Sequence, residues 1–472
     1  MRNQHIFRIP SIVSSTEFNS LPLSPDFLHN LAELGYASMT PIQAQSLPYL
    51  LNKQDLIAKA KTGSGKTVAF GIGLLNKIVV KRYVVQALVL CPTRELADQV
   101  AKEIRKLARF TSNVKVLTLC GGMPFAPQLS SLEHPPHIIV GTPGRLQEHL
   151  RKGSLSLDNV STLVLDEADR MLDMGFLPSI MQIIEDTNSD RQTLLFSATY
   201  PSSIKRMSAD IQRDPIEVSA EVALDDSSIE QLFFETEEDQ REAALLSLLS
   251  HYQPQSSVIF CNTKRSTQEV ADLLQAHGHH ALAIHGDLEQ KDRDQVLVRF
   301  ANNSCSILVA TDVAARGLDI DNLQAVINFE IGRDPDAYVH RIGRTGRAGK
   351  EGLALSLYTA DEIYKVSDIE LYQKSTAVFG NINSLKSQAN FTLTPSMTTL
   401  QIDGGRKQKI RPGDILGALT GDAGIEGKHV GKIAIFERWA YVAVAREEAT
   451  RALKQLGAGK IKGRHFKVRK LR

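Results

Sequence analysis

The sequence predicts an α/β protein with two tandem domains, each built on a parallel β-sheet, followed by a small domain of βαββαβ order. Continuous runs of Val, Ile and Leu alternate with helical patterns in two successive parts of the chain, as in parallel sheets covered on both faces. After about residue 395 the strand-like runs follow another order and the charge changes sign. A chain of 472 residues has room for two or three domains.

The composition is that of a globular protein in a reducing compartment. Hydrophobic residues make up 42% of the chain and charged residues 23%, enough for a sizeable core. No apolar run reaches the roughly 18 residues of a membrane span, and no secretion signal is evident, so we expect a cytoplasmic protein. The four cysteines lack the spacing of zinc ligands, which indicates free thiols: Cys91, Cys120, Cys261 and Cys305.

Charge is unevenly distributed along the chain. Residues 395–472 contain 17 Lys and Arg against 7 Asp and Glu, a net charge of +10, although the whole chain has only +2. The preceding residues therefore carry −8. This asymmetry suggests a polyanion as partner for the C-terminal part. A basic domain without such a partner remains the alternative.

Changes in polarity predict the domain boundaries. Two polar segments separate the three patterned parts of the chain. The predicted parts are an approach segment at 1–39, sheet domains at 40–213 and 229–378, linkers at 214–228 and 379–394, and the basic domain at 395–472.

A glycine-rich turn between a predicted strand and a predicted helix is the strongest single motif. Gly63 and Gly65 let successive N–H groups point at one anion, and the helix that follows adds the positive end of its dipole. Lys66 would reach the β- and γ-phosphates of a nucleotide, and the Thr67 hydroxyl would bind Mg²⁺. The loop comprises Ala60, Lys61, Thr62, Gly63, Ser64, Gly65, Lys66 and Thr67.

Every other predicted strand of the first sheet domain also ends in a polar motif. Because ligands bind at the carboxyl ends of strands in open α/β sheets, we expect these motifs to meet at one edge. Asp166 and Glu167 follow one such strand directly. Asp166 would hold Mg²⁺, directly or through water, and Glu167 would orient and deprotonate an attacking water. The predicted strands are 87–91, 114–119, 137–140, 162–165 and 192–196.

The second sheet domain has no phosphate loop but has an arginine cluster. Arg341, Arg344 and Arg347 are spaced by three, with glycines between them. Two of them could act as arginine fingers on a γ-phosphate, which in known enzymes accelerates hydrolysis about 10³–10⁵-fold. A solvated basic surface is the alternative, although the glycines would weaken a plain surface helix. The predicted strands are 257–261, 281–284, 306–310, 325–329 and 353–357.

Two further observations concern the ends of the chain. Gln43 precedes the phosphate loop, and its amide offers one acceptor and two donors, as the edge of adenine requires; a glutamine that only packs a helix is the alternative.

In the basic domain, Trp439 and Tyr441 share one face of a predicted strand and could stack on bases, unless they are core residues. The predicted elements there are strand 398–402, helix 412–419, strands 430–435 and 439–444, helix 446–456 and strand 465–468.

Taken in order, these motifs resemble those of DEAD-box RNA helicases of superfamily 2, over roughly residues 18–365. The resemblance implies two RecA-like domains, an RNA-dependent ATPase with ATP and Mg²⁺ as cofactors, and local opening of short duplexes without long translocation. The motifs are Gln43 with Phe18 upstream, Ala60–Thr67, Pro92–Ala97, Gly121 and Gly122, Thr142–Arg145, Asp166–Asp169, Ser197–Thr199, Val258–Thr263, Gln290 with Arg293, Ala310–Ile320 and His340–Arg347.

The resemblance also implies a role for each matched residue. Phe18 would stack on adenine, Asp319 would contact the ribose, and Arg344 and Arg347 would be the two arginine fingers. Ser197 and Thr199, with His340, would couple hydrolysis to strand separation. The residues expected to grip one RNA strand by its backbone are Thr93, Arg94, Gly122, Thr142, Arg145, Thr311 and Arg316.

The βαββαβ domain behind such a core resembles an RNA recognition motif, and the whole resembles the bacterial DbpA subfamily. This implies a hairpin of 23S ribosomal RNA as target and pre-50S ribosomal particles as the setting, during assembly of the 50S subunit. The usual aromatic residue of the first strand is absent, since Gln401 or Ile402 stands there. RNA could bind Trp439 and Tyr441, or basic residues instead: Arg406, Lys407, Lys409 and Arg411, or Lys428 and Arg438.

Two other functions remain open at this stage. An ATP-gated RNA clamp that turns over rarely would carry the same motifs, and so would a DNA helicase. We expect a monomer.

Overall fold

The computed structural model describes residues 16–60, 63–219, 229–315, 323–346, 351–386, 388, 391–421 and 424–471. The chain forms two compact units that divide near residue 224. The first unit contains the first sheet domain, and the second contains both the second sheet domain and the basic domain. None of the helices in the described ranges is long and apolar enough to cross a membrane.

The first unit is built on a parallel sheet of seven strands. The strands are β1 (Leu56–Lys59), β2 (Ala87–Leu90), β3 (Val116–Leu119), β4 (Ile138–Gly141), β5 (Thr162–Asp166), β6 (Gln192–Ser197) and β7 (Ile216–Ser219). They lie side by side in the order β3-β4-β2-β5-β6-β1-β7, and every pair is parallel.

Helices cover both faces of this sheet. Ala87 and Val89 of β2 belong to one buried apolar cluster, whereas Leu88 and Leu90 belong to another on the opposite face. This double burial explains the continuous apolar runs of the sequence. The helices are α1 (Pro25–Glu33), α2 (Pro41–Leu51), α3 (Lys66–Leu75), α4 (Arg94–Leu107), α5 (Phe125–Leu132), α6 (Pro143–Arg151), α7 (Ala168–Asp173), α8 (Leu177–Glu185) and α9 (Ser202–Ile211).

The segment predicted as the first linker contributes an edge strand. β7 pairs with β1 over four residues, from Ile216 beside Leu56 to Ser219 beside Lys59. Val218 is buried while its neighbours Glu217 and Ser219 are exposed. A half-covered edge strand alternates in polarity, so the continuous apolar run that identified the inner strands is missing here.

The second unit contains another parallel sheet of seven strands. The strands are β8 (Ile229–Glu235), β9 (Ser257–Cys261), β10 (Ala281–Ile284), β11 (Ile307–Thr311), β12 (Ala325–Asn328), β13 (Gly352–Tyr358) and β14 (Phe379–Gly380), in the order β10-β11-β9-β12-β13-β8-β14. The sequence did not predict β8 or β14, whose sequences lack a continuous aliphatic run. The helices are α10 (Arg241–Tyr252), α11 (Lys264–Ala276), α12 (Gln290–Ala301), α13 (Asp312–Ala315), α14 (Pro335–Ile342) and α15 (Ile363–Gln373).

The basic domain has the predicted βαββαβ order. Its elements are β15 (Met397–Ile402), α16 (Pro412–Thr420), β16 (Val430–Ile435), β17 (Ala440–Ala445), α17 (Ala449–Ala458) and β18 (Val468–Lys470). The strands form an antiparallel sheet in the order β16-β17-β15-β18. Leu400, Ile402, Val442 and Val444 form one core with α16 and α17. The last strand begins at Val468, at the end of the predicted range.

The outer face of this small sheet packs on the second sheet domain, within the same unit. The Met397 amide donates to the Asn303 carbonyl at 3.2 Å, and the Thr399 hydroxyl donates to the Ser304 Oγ at 2.8 Å. Gln401 and Tyr441 alternate with the core residues on this face and are 2% and 0% exposed. The chain therefore covers this sheet face with the turn after α12.

Candidate nucleotide site and RNA-binding surface

The carboxyl edge of the first sheet is divided into two halves by its strand order. β5, β6 and β1 are neighbours, and they end at Asp166–Asp169, Ser197–Thr199 and the phosphate loop. β3, β4 and β2 are neighbours on the other side, and they end at the glycine pair, at Thr142–Arg145 and at Thr93. The expectation that the polar motifs meet at one edge is therefore confirmed. Of these motifs, those expected to bind nucleotide lie on the β5-β6-β1 side, which we call the nucleotide half. Those expected to bind RNA lie on the β3-β4-β2 side, which we call the RNA half.

The phosphate loop has the backbone that its glycines predict. Gly63 and Gly65 have φ angles of +83° and +95°, a region that favours glycine. A Cβ on Gly65 would lie 2.5 Å from the Gln43 Nε2. Lys66 is 7% exposed, and its Nζ donates to the Ala60 carbonyl at 2.8 Å. Two predicted members of the loop, Lys61 and Thr62, lie outside the described residues.

Gln43 is fastened to this loop. Its Oε1 accepts from the Thr40 amide at 2.9 Å, and its Nε2 donates to the Gly65 carbonyl at 3.1 Å. The Thr40 hydroxyl donates to the Ser64 carbonyl at 2.8 Å. Gln43 thus joins the start of α2 to the loop, a role the sequence did not predict. Phe18 is 5% exposed and packs in the core of the first unit, so only a small part of its ring is open to an adenine.

Asp166 ends β5 in a buried position beside the phosphate loop. Burial raises the pKa of its carboxyl group to about 7, against the attraction of Lys66 and together with the repulsion of Glu167. Its Oδ1 is buried and accepts no hydrogen bond from the described residues. An unpaired buried carboxylate oxygen is costly unless a cation or donor joins it. Asp166 and the Thr67 hydroxyl therefore fit a Mg²⁺ ion bound with a nucleotide.

Glu167 has a strained backbone conformation, and its side chain forms a buried ion pair. Its φ and ψ of 54° and 53° are left-handed, which is uncommon for a residue with a side chain. Its Oε2 lies 2.9 Å from the Arg170 Nη1, and the two side chains are 5% and 6% exposed. The sequence predicted the carboxylate but not its partner. The Glu167–Ala168–Asp169–Arg170 turn of α7 fixes the direction of this candidate base.

Asp169 connects the acidic motif to the end of β6. Its Oδ2 accepts from the Ala198 amide at 3.2 Å, and from both the amide and the hydroxyl of Thr199 at 2.9 Å. The Asp169 amide in turn donates to the Ser197 Oγ at 3.3 Å. Ser197 and Thr199, predicted to couple hydrolysis to strand separation, are therefore fastened directly to the acidic motif. The role of Asp169 was not predicted.

The RNA half of the edge is a set of loops bonded to one another. The Arg94 Nη1 donates to the Gly121 carbonyl at 3.4 Å, and the Gly121 amide donates to the Thr142 Oγ1 at 3.3 Å. Gly122 has a φ of +71°. Thr93 caps α4, with its Oγ1 accepting from the Leu96 amide at 3.3 Å. The structure thus brings Thr93, Arg94, Gly122 and Thr142 together.

Arg145 belongs to this group and has one unused donor. Its Nη2 donates to the Met123 carbonyl at 2.9 Å, and its Nε pairs with Glu148 at 3.1 Å. The side chain is 9% exposed, and its Nη1 is buried without a hydrogen-bond partner among the described residues. A guanidinium N–H of this kind can be satisfied by a phosphate oxygen.

The arginine motif of the second unit differs from its prediction in one respect. Arg341 is 2% exposed and pairs with Asp312 through Nε and Nη2 at 2.6 and 2.7 Å. Its remaining donors reach Asn262, Asn328 and the Glu330 carbonyl. Arg341 is therefore a buried structural residue and not a member of a cationic cluster, because a guanidinium with all donors bonded can be buried.

The other predicted residues of the second unit are only partly described. Arg344 is 7% exposed, His340 lies 3.3 Å from Asp336, and Thr311 ends β11 at 9% exposure. Asp319 and Arg316, predicted to contact ribose and RNA, lie outside the described residues. The same holds for Arg347, the second predicted arginine finger.

The structure corrects the prediction that Tyr441 stacks on RNA bases. Tyr441 has no exposed surface, and burial, with nearby Asp294, raises the pKa of its phenol to about 12. Trp439 is half-buried, with the Lys291 Nζ 5.8 Å from its ring centroid. Packing against the second sheet domain removes this face from RNA. Arg406 and Lys407, in contrast, are exposed.

Comparisons with known proteins agree with this arrangement. Residues 40–207 match the family model of the DEAD/DEAH box helicase, residues 240–349 that of the helicase conserved C-terminal domain, and residues 399–470 that of the DbpA RNA binding domain. The chain is 55% identical over 463 residues to the ATP-dependent RNA helicase DbpA of Escherichia coli (strain K12), covering 97% of this chain and 100% of that protein. It is 36% identical to the ATP-dependent RNA helicase DbpA of Bacillus subtilis (strain 168), covering 96% and 99%.

A solved structure also resembles this chain over most of its length. Saccharomyces cerevisiae Dbp5 bound to RNA and ADP BeF3 matches with a TM-score of 0.72 at 29% identity, over 78% of this chain and 96% of that one. The chain therefore belongs to the DEAD-box family of ATP-dependent RNA helicases. The two relatives above, which match over nearly the whole chain, are DbpA proteins, and residues 399–470 match the DbpA RNA binding domain. It is an RNA-dependent ATPase and helicase with RecA-like domains.

Proposed function

We propose that this helicase opens short helices of structured large-subunit ribosomal RNA, 23S rRNA, in pre-50S particles during 50S assembly. The observation that carries the proposal is the division of one sheet edge into a nucleotide half and an RNA half. Asp169 bonds the acidic motif to Ser197–Thr199 within the nucleotide half. A change at the γ-phosphate can thus be passed to neighbouring loops through hydrogen bonds.

In the nucleotide half, Lys66 and the loop amides bind the phosphates, and Gln43 and Phe18 contact the adenine. Thr67 and Asp166 would hold Mg²⁺, which neutralises phosphate charge when it is bound. Glu167 accepts a hydrogen bond from the attacking water and takes its proton. The ion pair with Arg170 directs the Glu167 carboxylate for this step. From the family resemblance we assign γ-phosphate contacts to Arg344 and Arg347, and the ribose contact to Asp319.

In the RNA half, the strand is bound through its sugar-phosphate backbone. The unused Nη1 donor of Arg145 and the amides around Gly122 support phosphate contacts. Such contacts carry little sequence information and weaken as salt concentration rises. Thr311 and Arg316 are proposed to extend this grip from the second unit. Sequence preference must then come from another part of the chain.

We assign that preference to basic loops of the C-terminal domain. Arg406 and Lys407 lie in a short 3₁₀ turn whose amides donate to the Phe436 and Glu437 carbonyls at 2.9 Å. A Cβ on Gly405 would lie 2.3 Å from the Phe436 carbonyl oxygen, so this close approach requires glycine. The turn is a rigid, exposed cationic feature, as phosphate recognition in an RNA hairpin requires.

Unwinding assays with charge-reversed variants test the proposal. We expect the full chain to unwind a short duplex joined to a 23S rRNA fragment faster than the same duplex joined to an unrelated RNA. The double variant R406E/K407E should lose this preference and retain activity on the unrelated RNA. The matched control R451E/K454E makes the same charge change on α17 and should retain the preference. Preference that survives in R406E/K407E contradicts the assigned loops, and binding without unwinding favours the RNA clamp.

A further inference from the structure

A chain of buried hydrogen bonds connects the Cys120–Gly122 turn after β3, called the glycine turn below, to helix α6. Gln128 of α5 is 8% exposed, and its Nε2 donates to the Cys120 carbonyl at 3.0 Å. Its Oε1 lies 3.2 Å from the Nε2 of His149 on α6. His149 is 0% exposed, and its Nδ1 lies 2.9 Å from the Ser154 Oγ.

The Gln128 contacts indicate which atom of the imidazole faces an acceptor. The Cys120 carbonyl only accepts, so the amide NH₂ of Gln128 must face it and the amide oxygen must face His149. The His149 Nε2 therefore carries a proton, while Nδ1 faces the Ser154 Oγ, whose hydroxyl donates to the His149 carbonyl at 3.1 Å. Burial, followed by the charge of Arg145, lowers the pKa of His149, which is consistent with a neutral ring at pH 7.

An aromatic stack reinforces the same connection. The Phe125 ring at the start of α5 lies 4.2 Å from the His149 ring, with 19° between their planes. The Lys152 Nζ lies 3.9 Å from the centroid of Phe125, a cation–π distance. The first turn of α5 and the last turns of α6 are thus fixed to each other.

Four side-chain hydrogen bonds hold the backbone between 120 and 123. Gln128 donates to the Cys120 carbonyl, and Arg145 donates to the Met123 carbonyl. At Gly121, Arg94 donates to the carbonyl and Thr142 accepts from the amide. Thr142 and Arg145 belong to the start of α6, and His149 lies one turn after Arg145. Of these four bonds, only that of Gln128 comes from a residue to which no RNA contact has been assigned.

We propose that Gln128 and His149 are positioning residues of the RNA-binding surface. They hold the Cys120–Gly122 turn at the distance from α6 at which Gly122 and Arg145 bind the same RNA backbone. This rests on the proposed RNA role of that surface. Loss of the Gln128 bond would leave the Cys120 carbonyl unpaired and let the turn move, so RNA would bind more weakly while the ATP half stayed intact.

The test is RNA-stimulated ATP hydrolysis by full-length Gln128→Met, which keeps the side-chain length and removes both hydrogen bonds. We expect the poly(A) concentration for half-maximal stimulation to rise about threefold to tenfold, because losing a hydrogen bond typically weakens binding by that factor. The kcat at saturating poly(A) and the KM for ATP should stay within about twofold of the parent values, because the ATP loops are unchanged. His149→Phe keeps the ring stack without the donor and should raise the half-saturation in the same way.

Gln147→Met is the matched control, the same substitution on α6, the helix that carries His149. Gln147 accepts from the Ser179 hydroxyl of α8 at 3.2 Å and makes no hydrogen bond to the glycine turn among the described contacts, so its half-saturation should equal the parent value. A mere packing role would lower thermal stability in Gln128→Met and leave the half-saturation unchanged, which overturns the inference. An equal rise in Gln147→Met overturns it too. Arg145→Ala separates the two proposals, because an unchanged half-saturation there refutes the RNA surface itself.

Discussion

Asp169 and Thr199 are joined by two hydrogen bonds of 2.9 Å that end on the same carboxylate oxygen, Asp169 Oδ2. One comes from the Thr199 amide and the other from its hydroxyl. The contact ties α7, which follows the candidate base Glu167, to the loop after β6. Thr199 is therefore placed to sense movements of the acidic motif.

Thr199→Val should uncouple hydrolysis from unwinding. The substitution removes the hydrogen bond from the Thr199 hydroxyl and leaves the one from its amide. It therefore weakens the contact between Thr199 and Asp169 by about 1 kcal/mol. We expect fewer strands separated per ATP consumed, by about fivefold, with an ATPase kcat close to that of the parent. Duplex unwinding and phosphate release measured in one reaction give the ratio.

Thr193→Val is the matched control for that experiment. Thr193 lies on β6, the strand that ends just before Thr199, and its hydroxyl is buried without a hydrogen-bond partner among the described residues. The same change in side chain should leave the ratio unaltered. An equal loss in both variants would mean that Thr199 acts only through packing.

Glu167→Gln should remove ATP turnover and leave ATP binding intact. The amide cannot take a proton from water, and loss of a general base costs about 10²–10⁴ in rate. Lys66→Ala should remove turnover as well, with weaker nucleotide binding. Steady-state phosphate release and binding of a fluorescent ATP analogue check these outcomes, with the exposed Glu185→Gln as control. Parent-like turnover in Glu167→Gln would refute the assigned base.

The ion pair of Glu362 should make stability depend on pH. Burial raises the pKa of this carboxyl, but hydrogen bonds from Lys365 and Arg241 outweigh it and lower the pKa to about 2. The pKa is below its unfolded value, so the stabilisation is present above about pH 4.5 and is lost as pH falls toward 2. Glu362→Gln should therefore cost about 2 kcal/mol at pH 7, and less at pH 3.5.

Apparent melting temperatures from pH 7 to pH 3.5 check this dependence. Glu269→Gln removes an exposed pair with Arg265, whose side chains are 55% and 87% exposed, and should have little effect at any pH. A difference between parent and Glu362→Gln that stays constant over the whole range would contradict the assignment.

The four cysteines should be unreactive in the folded protein. All are free and buried, and burial raises the pKa of Cys120, Cys261 and Cys305 to about 12. A thiol reagent such as DTNB at pH 8 should react slowly with the native chain and with four thiols in guanidinium chloride, because the thiolate is the nucleophile. A cysteine that reacts within seconds in the native protein would contradict the described burial.

The sequence predicted the inner strands and the phosphate loop correctly, because in both places the structure requires particular residue types. Inner strands buried on both faces are continuous in Val, Ile and Leu, so they were found, and Gly63 and Gly65 have the positive φ that a phosphate loop needs. Prediction was weaker at sheet edges. β7 and β14 lie in segments predicted as linkers, because a short edge strand has no continuous apolar run.

The partners of functional residues were harder to predict than the residues themselves. Arg170 beside Glu167, and Gln128 beside Cys120, depend on how α7 and α5 pack, which no spacing in the sequence states. Tyr441 illustrates the opposite error. A strand aromatic with period-two spacing fits a base-stacking face, yet that face is covered by a domain about 140 residues earlier in the chain. Only the tertiary structure determines which face is covered.

The most direct test of the account is the steady-state ATPase rate of the full chain as a function of RNA concentration. The rate should rise with a 23S rRNA fragment and saturate at a lower concentration than with an unrelated RNA of equal length, and single-stranded DNA of the same sequence should stimulate little. An ATPase rate that is the same with and without RNA would contradict the central claim that RNA bound at one half of the sheet edge controls hydrolysis at the other.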